Sequence, residues 1–187
     1  MKKAVRMAAV FLLLALALTA CGGKSGISVH VAPPEQRETV FGAFTTVDLA
    51  GNAVDDTIFA GQSLTMVNIW GTTCAGCIKE MPELAELNRA YDDFAVIGVA
   101  ADITNRRGEV KDALYADALS VVDATGADYV HLVPCGDMIE NKLITCQTLP
   151  ETVFVDSQGR QVGESYLGAR TKAEWAQIID ALREAMG

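Results

Sequence analysis

Two cysteines separated by two residues carry the sharpest chemical signal in this 187-residue chain: Cys74 and Cys77, in Trp70-Gly71-Thr72-Thr73-Cys74-Ala75-Gly76-Cys77. Such a pair can ligate a metal, attach a haem or exchange a disulfide. A zinc site needs a second tight pair, and Cys135 and Cys146 are too far apart in sequence to supply the usual knuckle. A c-type haem needs His directly after the second cysteine, where Ile78 stands. A purely structural disulfide across so short a ring removes little unfolded-chain entropy. Redox exchange is left as the strong reading.

Exchange needs a thiolate, and the flanking residues say how one would form. The pair follows an apolar run, Leu64 to Trp70, and opens a segment with Ile78, Met81, Leu84, Leu87 and Tyr91 at three- and four-residue steps. Strand and then helix places Cys74 at a helix N-terminus, where unpaired N–H groups and the macrodipole stabilise negative charge. Such a site lowers a thiol pKa from about 8.5 toward 7 or below. Cys74 is the expected nucleophile, and Cys77, one turn in, the resolving thiol.

The elements that must hold this pair can be read on either side. Ala95 to Ala101 is a second nearly continuous apolar run, as expected of strands covered on both faces, and completes a βαβ unit. The spacing of Val110, Leu114 and Ala118 predicts a helix over 108–119. Thr152 to Asp156 and Gln161 to Leu167 flank the turn residues Ser157-Gln158-Gly159-Arg160, a hairpin pattern. Thr171 and Glu174 form a capping-box pattern ahead of the stripe Trp175, Ile178, Ile179, Leu182 and Met186. Residues 124–148 show no clear pattern. Asp48, Asp55 and Asp56 read as turn and surface residues, and His30 and His131 as solvated or core histidines.

The N-terminus reads as an address. Lys2, Lys3 and Arg6 precede an apolar run from Met7 to Leu18, too short for a comfortable span of about 20 residues. Leu18-Thr19-Ala20-Cys21 resembles a bacterial lipobox, which makes Cys21 the lipidated residue of an extracytoplasmic, membrane-anchored lipoprotein and residues 1–20 its signal peptide. Gly22 to Glu38, rich in Gly, Ser and Pro, reads as a flexible tether reaching about 20–25 Å. The chain has 15 basic and 24 acidic residues; losing residues 1–20 removes three basic ones and takes the net charge from −9 to −12. Such a field repels nucleic acid and anionic headgroups, so neither is an expected partner.

The segment WGTTCAGCIKEMPEL resembles the active site of the thioredoxin superfamily, and within it the membrane-tethered TlpA/ResA-like thiol–disulfide oxidoreductases. The resemblance covers about residues 39–187. It implies an α/β thioredoxin fold: a central mixed β-sheet flanked by helices, an N-terminal hairpin extension and an insertion after the βαβ unit. By the same resemblance Pro150 is the cis-proline facing the dithiol, and Leu149 before it pairs with substrate backbone. Glu80 matches the acid that relays the Cys77 proton, with a solvated surface Glu beside Lys79 as the alternative. Trp70 is either a wall of the substrate site or a core residue. Ala75-Gly76 departs from the family's common proline before the second cysteine.

An exported chain with an even remaining pair implies a structural disulfide between Cys135 and Cys146; a second exchanging dithiol is the alternative. The family further implies electron supply from a membrane thiol carrier of the CcdA/DsbD kind. Its clients would be disulfides of exported proteins, such as apocytochrome c or methionine sulfoxide reductase. No cofactor or metal is expected. Rival readings are a disulfide oxidase, a thiol peroxidase, which usually has Thr where Gly71 stands, and a non-catalytic binding lipoprotein.

Overall fold

The computed structural model describes residues 27–187. The expected signal peptide and the expected lipidation residue Cys21 lie outside the described residues. A short antiparallel pair, β1 (Thr45–Val47) and β2 (Ala53–Asp55), precedes the main body. The turn between them is closed by Asp48, whose carboxylate accepts from the Ala50 and Asn52 amides and from Asn52 Nδ2. The body then runs β3 (Leu64–Trp70), α1 (Ala75–Asn88), β4 (Phe94–Ala100), α2 (Asp112–Thr125), β5 (Val130–Leu132), α3 (Gly136–Asn141), β6 (Glu151–Val155), β7 (Gln161–Leu167) and α4 (Lys172–Met186). Among the described residues no helix is long and apolar enough to cross a membrane.

The main sheet has the order β5-β4-β3-β6-β7, with β3, β4 and β5 parallel and β6 and β7 antiparallel. β3 is therefore central, and every one of its residues is buried, as its nearly continuous apolar run predicts. Strand side chains alternate, so the sheet has two cores. Leu64, Met66, Trp70, Phe94, Val96 and Phe154 meet the helices α1, α2 and α4. Val67, Ile69, Ile97, Val99, Val153 and Val155 meet Phe41, Phe44, Phe59 and Met138 on the other face. One row of the first face reads across four strands as Thr152, Asn68, Gly98 and His131, each paired with the next.

Three expectations change. The second helix begins at Asp112, not 108, because Val110 forms a bridge with Thr104 and is exposed; α2 instead extends to Thr125 and ends on left-handed Gly126. The unpatterned stretch contains β5, whose three residues are too few to show a period.

Part of the tether is docked rather than free. Val29 and Val31 pack on the core, Arg37 pairs with buried Asp156 at 3.3 Å, and the Gln161 amide donates to the Glu38 carbonyl. The Pro-rich composition suits a 3₁₀ turn (Pro34–Gln36) on this surface.

Candidate active site

Cys74 is the N-cap of α1. It is joined to Cys77 by a disulfide with Cα atoms 5.2 Å apart. Cys74 is partly exposed and Cys77 is fully buried, the asymmetry expected of an attacking and a resolving thiol. The Cys74 sulfur accepts from the Cys77 amide at 3.2 Å. That N–H, with the other free amides of the first turn, is in place to take up the charge of a Cys74 thiolate once the disulfide opens.

The turn leading into Cys74 is held by a residue the sequence did not single out. Asp102, just past β4, accepts from the Thr72 amide at 2.9 Å and the Thr72 hydroxyl at 2.8 Å. Gly71 makes the close approach possible: a Cβ there would lie 3.0 Å from Leu149 Cδ1 and 3.3 Å from Asp102 Oδ2.

Pro150 and Leu149 come to the same place from the other side of the sheet. The Leu149–Pro150 peptide bond is cis. The Pro150 ring faces the dipeptide between the cysteines, its Cδ 3.7 Å from where a Gly76 Cβ would be. Leu149 is half-buried beside Gly71, between the two cores. The positions of Gly71, Cys74, Gly76, Leu149 and Pro150 thus form one surface, built from the β3–α1 turn and the approach to β6.

Glu80 is not a solvated helix residue. It is 2% exposed, on the face of α1 that also carries Cys77 and Met81. Its carboxylate accepts from Asn68 Nδ2 at 2.9 Å, from the Arg170 amide at 3.1 Å and from Trp175 Nε1 at 3.3 Å. Burial pushes the Glu80 carboxyl above the ordinary carboxylate range, and these three donors only partly offset it. Asn68 also donates to Thr152 Oγ1 at 3.0 Å, tying α1 to β3 and β6. The Arg170 guanidinium lies 5.0 Å from the Trp175 ring centroid and 5.2 Å from that of Tyr166, which fixes the loop whose amide meets Glu80. A visible trace of this network is Asn68 itself, the one amide side chain in a strand of otherwise apolar character.

One open alternative about the site is decided, and one expectation does not hold. Trp70 is fully buried, its ring edge-to-face with His131 at 5.5 Å, so it belongs to the core and does not form a wall of the substrate surface. Even-numbered residues of β3 face the helices, which sends Trp70 inward. Cys135 and Cys146 are not joined; both are free thiols. Cys135 caps α3 and abuts Gly108. Cys146 turns its sulfur toward the Thr148 carbonyl and Glu151, and burial with the neighbouring carboxylate pushes its pKa up to about 11. Among the described residues no group of three or more His, Cys, Asp or Glu side chains is arranged to hold a metal ion.

A mixed sheet of this order, with a CxxC disulfide capping α1 and a cis-proline against it, defines a thioredoxin-fold thiol–disulfide oxidoreductase. Residues 35–179 match the Redoxin family, and the chain belongs to it. The relatives agree with that class. The thiol-disulfide oxidoreductase ResA of Bacillus cereus is 27% identical over 133 residues, 70% of this chain and 69% of that one. ResA of Geobacillus thermodenitrificans is 25% identical over 98% of this chain and 99% of its own. Among solved structures, a DsbF homologue from Corynebacterium diphtheriae superimposes with a TM-score of 0.63 at 22% identity. It covers 87% of this chain and 96% of that one, which shows the shared fold. The chain is thus a TlpA/ResA-like member of the thioredoxin superfamily.

Proposed function

We propose that this oxidoreductase works outside the cytoplasm, anchored through Cys21, and reduces disulfides in exported proteins. The direction is taken from the resemblance; the observation that supports the exchange chemistry is Glu80, a buried carboxyl one helical turn from Cys77 and held by three donors. In the reduced protein the Cys74 thiolate attacks one sulfur of a client disulfide. This forms a Cys74–client disulfide and releases the other client sulfur as a thiolate. Cys77 gives its proton to Glu80 and attacks the Cys74 sulfur, closing the Cys74–Cys77 disulfide and releasing the second client sulfur as a thiolate, which is protonated from Glu80 or solvent. Two electrons pass from the dithiol to the client. Glu80 is suited to the step because burial raises its pKa and so brings it closer to that of a thiol than an exposed glutamate would be.

Pro150 and Leu149 would present backbone to the client segment beside Cys74. A membrane thiol carrier of the CcdA/DsbD kind would restore the dithiol, and apocytochrome c or methionine sulfoxide reductase are client types. These assignments rest on the resemblance of residues 70–84 and on the signal and lipobox pattern of residues 1–21.

The deciding measurement is the reduction potential of Cys74/Cys77 in the full chain purified in detergent, with Cys135 and Cys146 followed separately by alkylation mass. A value near or below about −250 mV supports a reductase, and one near about −120 mV would make the protein an oxidase. Membrane fractionation of Cys21→Ser tests the anchor: release into the soluble fraction is expected, and retention overturns it.

A further inference from the structure

The loop between β7 and α4 touches three parts of the redox site. The Gly168 amide donates to the Pro150 carbonyl at 2.9 Å. The Ala169 methyl lies 3.5 Å from where a Gly76 Cβ would be, beside the dipeptide between the cysteines. The Arg170 amide donates to Glu80 Oε2 at 3.1 Å. The same oxygen takes the Trp175 indole N–H at 3.3 Å, from the first turn of α4.

The Arg170 side chain holds this loop in shape. Its Nη1 donates to the Leu167 carbonyl at 3.2 Å and to the Gly168 carbonyl at 3.0 Å, so the guanidinium folds back over its own loop. Its Cζ lies 5.0 Å from the Trp175 ring centroid and 5.2 Å from that of Tyr166. A planar guanidinium can bond carbonyls with its edge and stack on rings with its face at once, which an ammonium cannot. Among the described residues no carboxylate stands within ion-pair distance of it. Its bonds go instead to the loop and to the ring that carries the second donor to Glu80 Oε2.

Resting on the oxidoreductase reading, we infer that Arg170 is a positioning residue for the resolving step. Its side chain keeps both donors, its own amide and the Trp175 indole, on Glu80 Oε2, and so keeps Glu80 in the carboxylate form that takes the Cys77 proton. In that step the proton passes to Glu80 and the Cys77 sulfur bonds to the Cys74 sulfur. The bond from Cys74 to the client breaks, and its electron pair leaves on the client sulfur. Burial favours the neutral carboxyl, and the donors with the Arg170 charge pull the other way. The other titratable groups facing Glu80 are Cys77 on its own helix and Tyr129 ahead of β5. Burial first and the Glu80 charge second keep that phenol protonated. β3 and β6 contribute neutral Asn68 and Thr152. On α4, Glu174 feels the Arg170 charge, but its carboxylate is held by the Thr171 amide and hydroxyl.

Proton affinity and exchange are measured separately. The full chain in detergent micelles, in its Cys74–Cys77 disulfide form, carries isotope-labelled glutamate carboxyls whose NMR signals are followed with pH. The signal missing in Glu80→Gln is that of Glu80. Arg170→Met keeps an apolar stem against the Trp175 and Tyr166 rings and removes the charge and both carbonyl bonds. Its Glu80 should titrate about one pH unit higher than in the wild type. Arg170→Lys restores the charge without the stacked fork and should recover no more than about half of that shift. An unmoved Glu80, or full recovery in Arg170→Lys, overturns the positioning role. A downward shift overturns it too, because Arg170 would then only keep water from the carboxyl.

Exchange is followed with the reduced chain and Ellman's reagent: the first thionitrobenzoate released reports attack by Cys74, and the second reports resolution by Cys77. Below the Glu80 midpoint the second release should be about tenfold slower in Arg170→Met. In a Glu80→Gln background the same substitution should add no further slowing. Equal slowing in both backgrounds would make Arg170 a structural residue and overturn the inference. A wild type that releases no thionitrobenzoate would sink the oxidoreductase reading, and the carboxyl titration would still decide whether Arg170 holds the Glu80 donors.

Discussion

Asn68, in the middle of the central strand, donates its amide to the Glu80 carboxylate across 2.9 Å of protein interior. The two residues are twelve positions apart and lie on different elements. Their contact converts an ordinary helix acid into a buried proton acceptor. Its environment is complete on the donor side: the Arg170 amide and the Trp175 indole take the second oxygen.

This arrangement makes stability depend on pH with a definite sign. Burial first, partly countered by the three donors, raises the Glu80 pKa in the folded protein. Between the ordinary glutamate value and the raised one, the folded state binds more protons than the unfolded chain. Stability therefore falls as pH rises through that window. Glu80→Gln cannot ionise, and its amide can donate to Asn68 Oδ1, which has no partner, once the Asn68 amide turns over. Urea denaturation across that window should show a falling midpoint for the wild type relative to the variant. The pH profile of mixed-disulfide resolution should lose one ionisation in Glu80→Gln. An unchanged profile would remove Glu80 from the proton path.

His131 gives a slope of the opposite sign. Burial lowers its pKa to about 4, although the Ala127 carbonyl bond pulls the other way. Unfolding lets it return to its ordinary value near 6.5, so the unfolded chain binds the extra proton between about 6.5 and 4. Stability is full above that range and declines as pH falls through it, by on the order of 3 kcal/mol. His131→Phe keeps the aromatic packing against Trp70 and Tyr129 and should flatten the acid limb of the curve. Chemical denaturation at pH 7 and pH 4.5 checks it.

Two glycines of the site region should respond oppositely to alanine. At Gly98 a Cβ would lie 2.2 Å from His131 Nδ1 and 3.0 Å from Trp70 Nε1, all within the core. Gly98→Ala should cost about 3 kcal/mol by overpacking. At Gly76 the nearest atoms to a Cβ are at 3.5 and 3.7 Å, ordinary contact distances. Gly76→Ala should stabilise the start of α1 by about 0.5–1 kcal/mol. Urea midpoints of the two variants at neutral pH decide both.

The difference in exposure of the two redox sulfurs predicts the order of their reactions. After reduction, brief iodoacetamide treatment should label Cys74 at least about tenfold faster than Cys77. Cys77→Ser should accumulate a mixed disulfide on Cys74 with a thiol-reactive probe, and Cys74→Ser should form none. Mass spectrometry of tryptic peptides reads all three, and preferential labelling of Cys77 would reverse the assigned roles.

Much of this was legible in the residues alone because local patterns follow from local physics. The CxxC at a strand-to-helix junction, the βαβ unit, the turn at Ser157–Arg160 and the capping box at Thr171 depend on the periods and backbone preferences of neighbouring residues. Each appears in the structure within a few residues of its expected place. The exposure of Cys74 and burial of Cys77 follow from the same helix geometry.

What the tertiary structure alone decided involves residues brought together across elements. Whether Trp70 faced the core or the substrate turned on which face of β3 the helices cover. The fate of Cys135 and Cys146 turned on how α3 and the following turn pack between them. Glu80 became a buried proton acceptor only because the register of β3 with β6 and the approach of α4 placed Asn68, Thr152, Trp175 and the Arg170 amide around it. No periodicity encodes such a meeting, since strand register and helix crossing are set by the packing of the whole core.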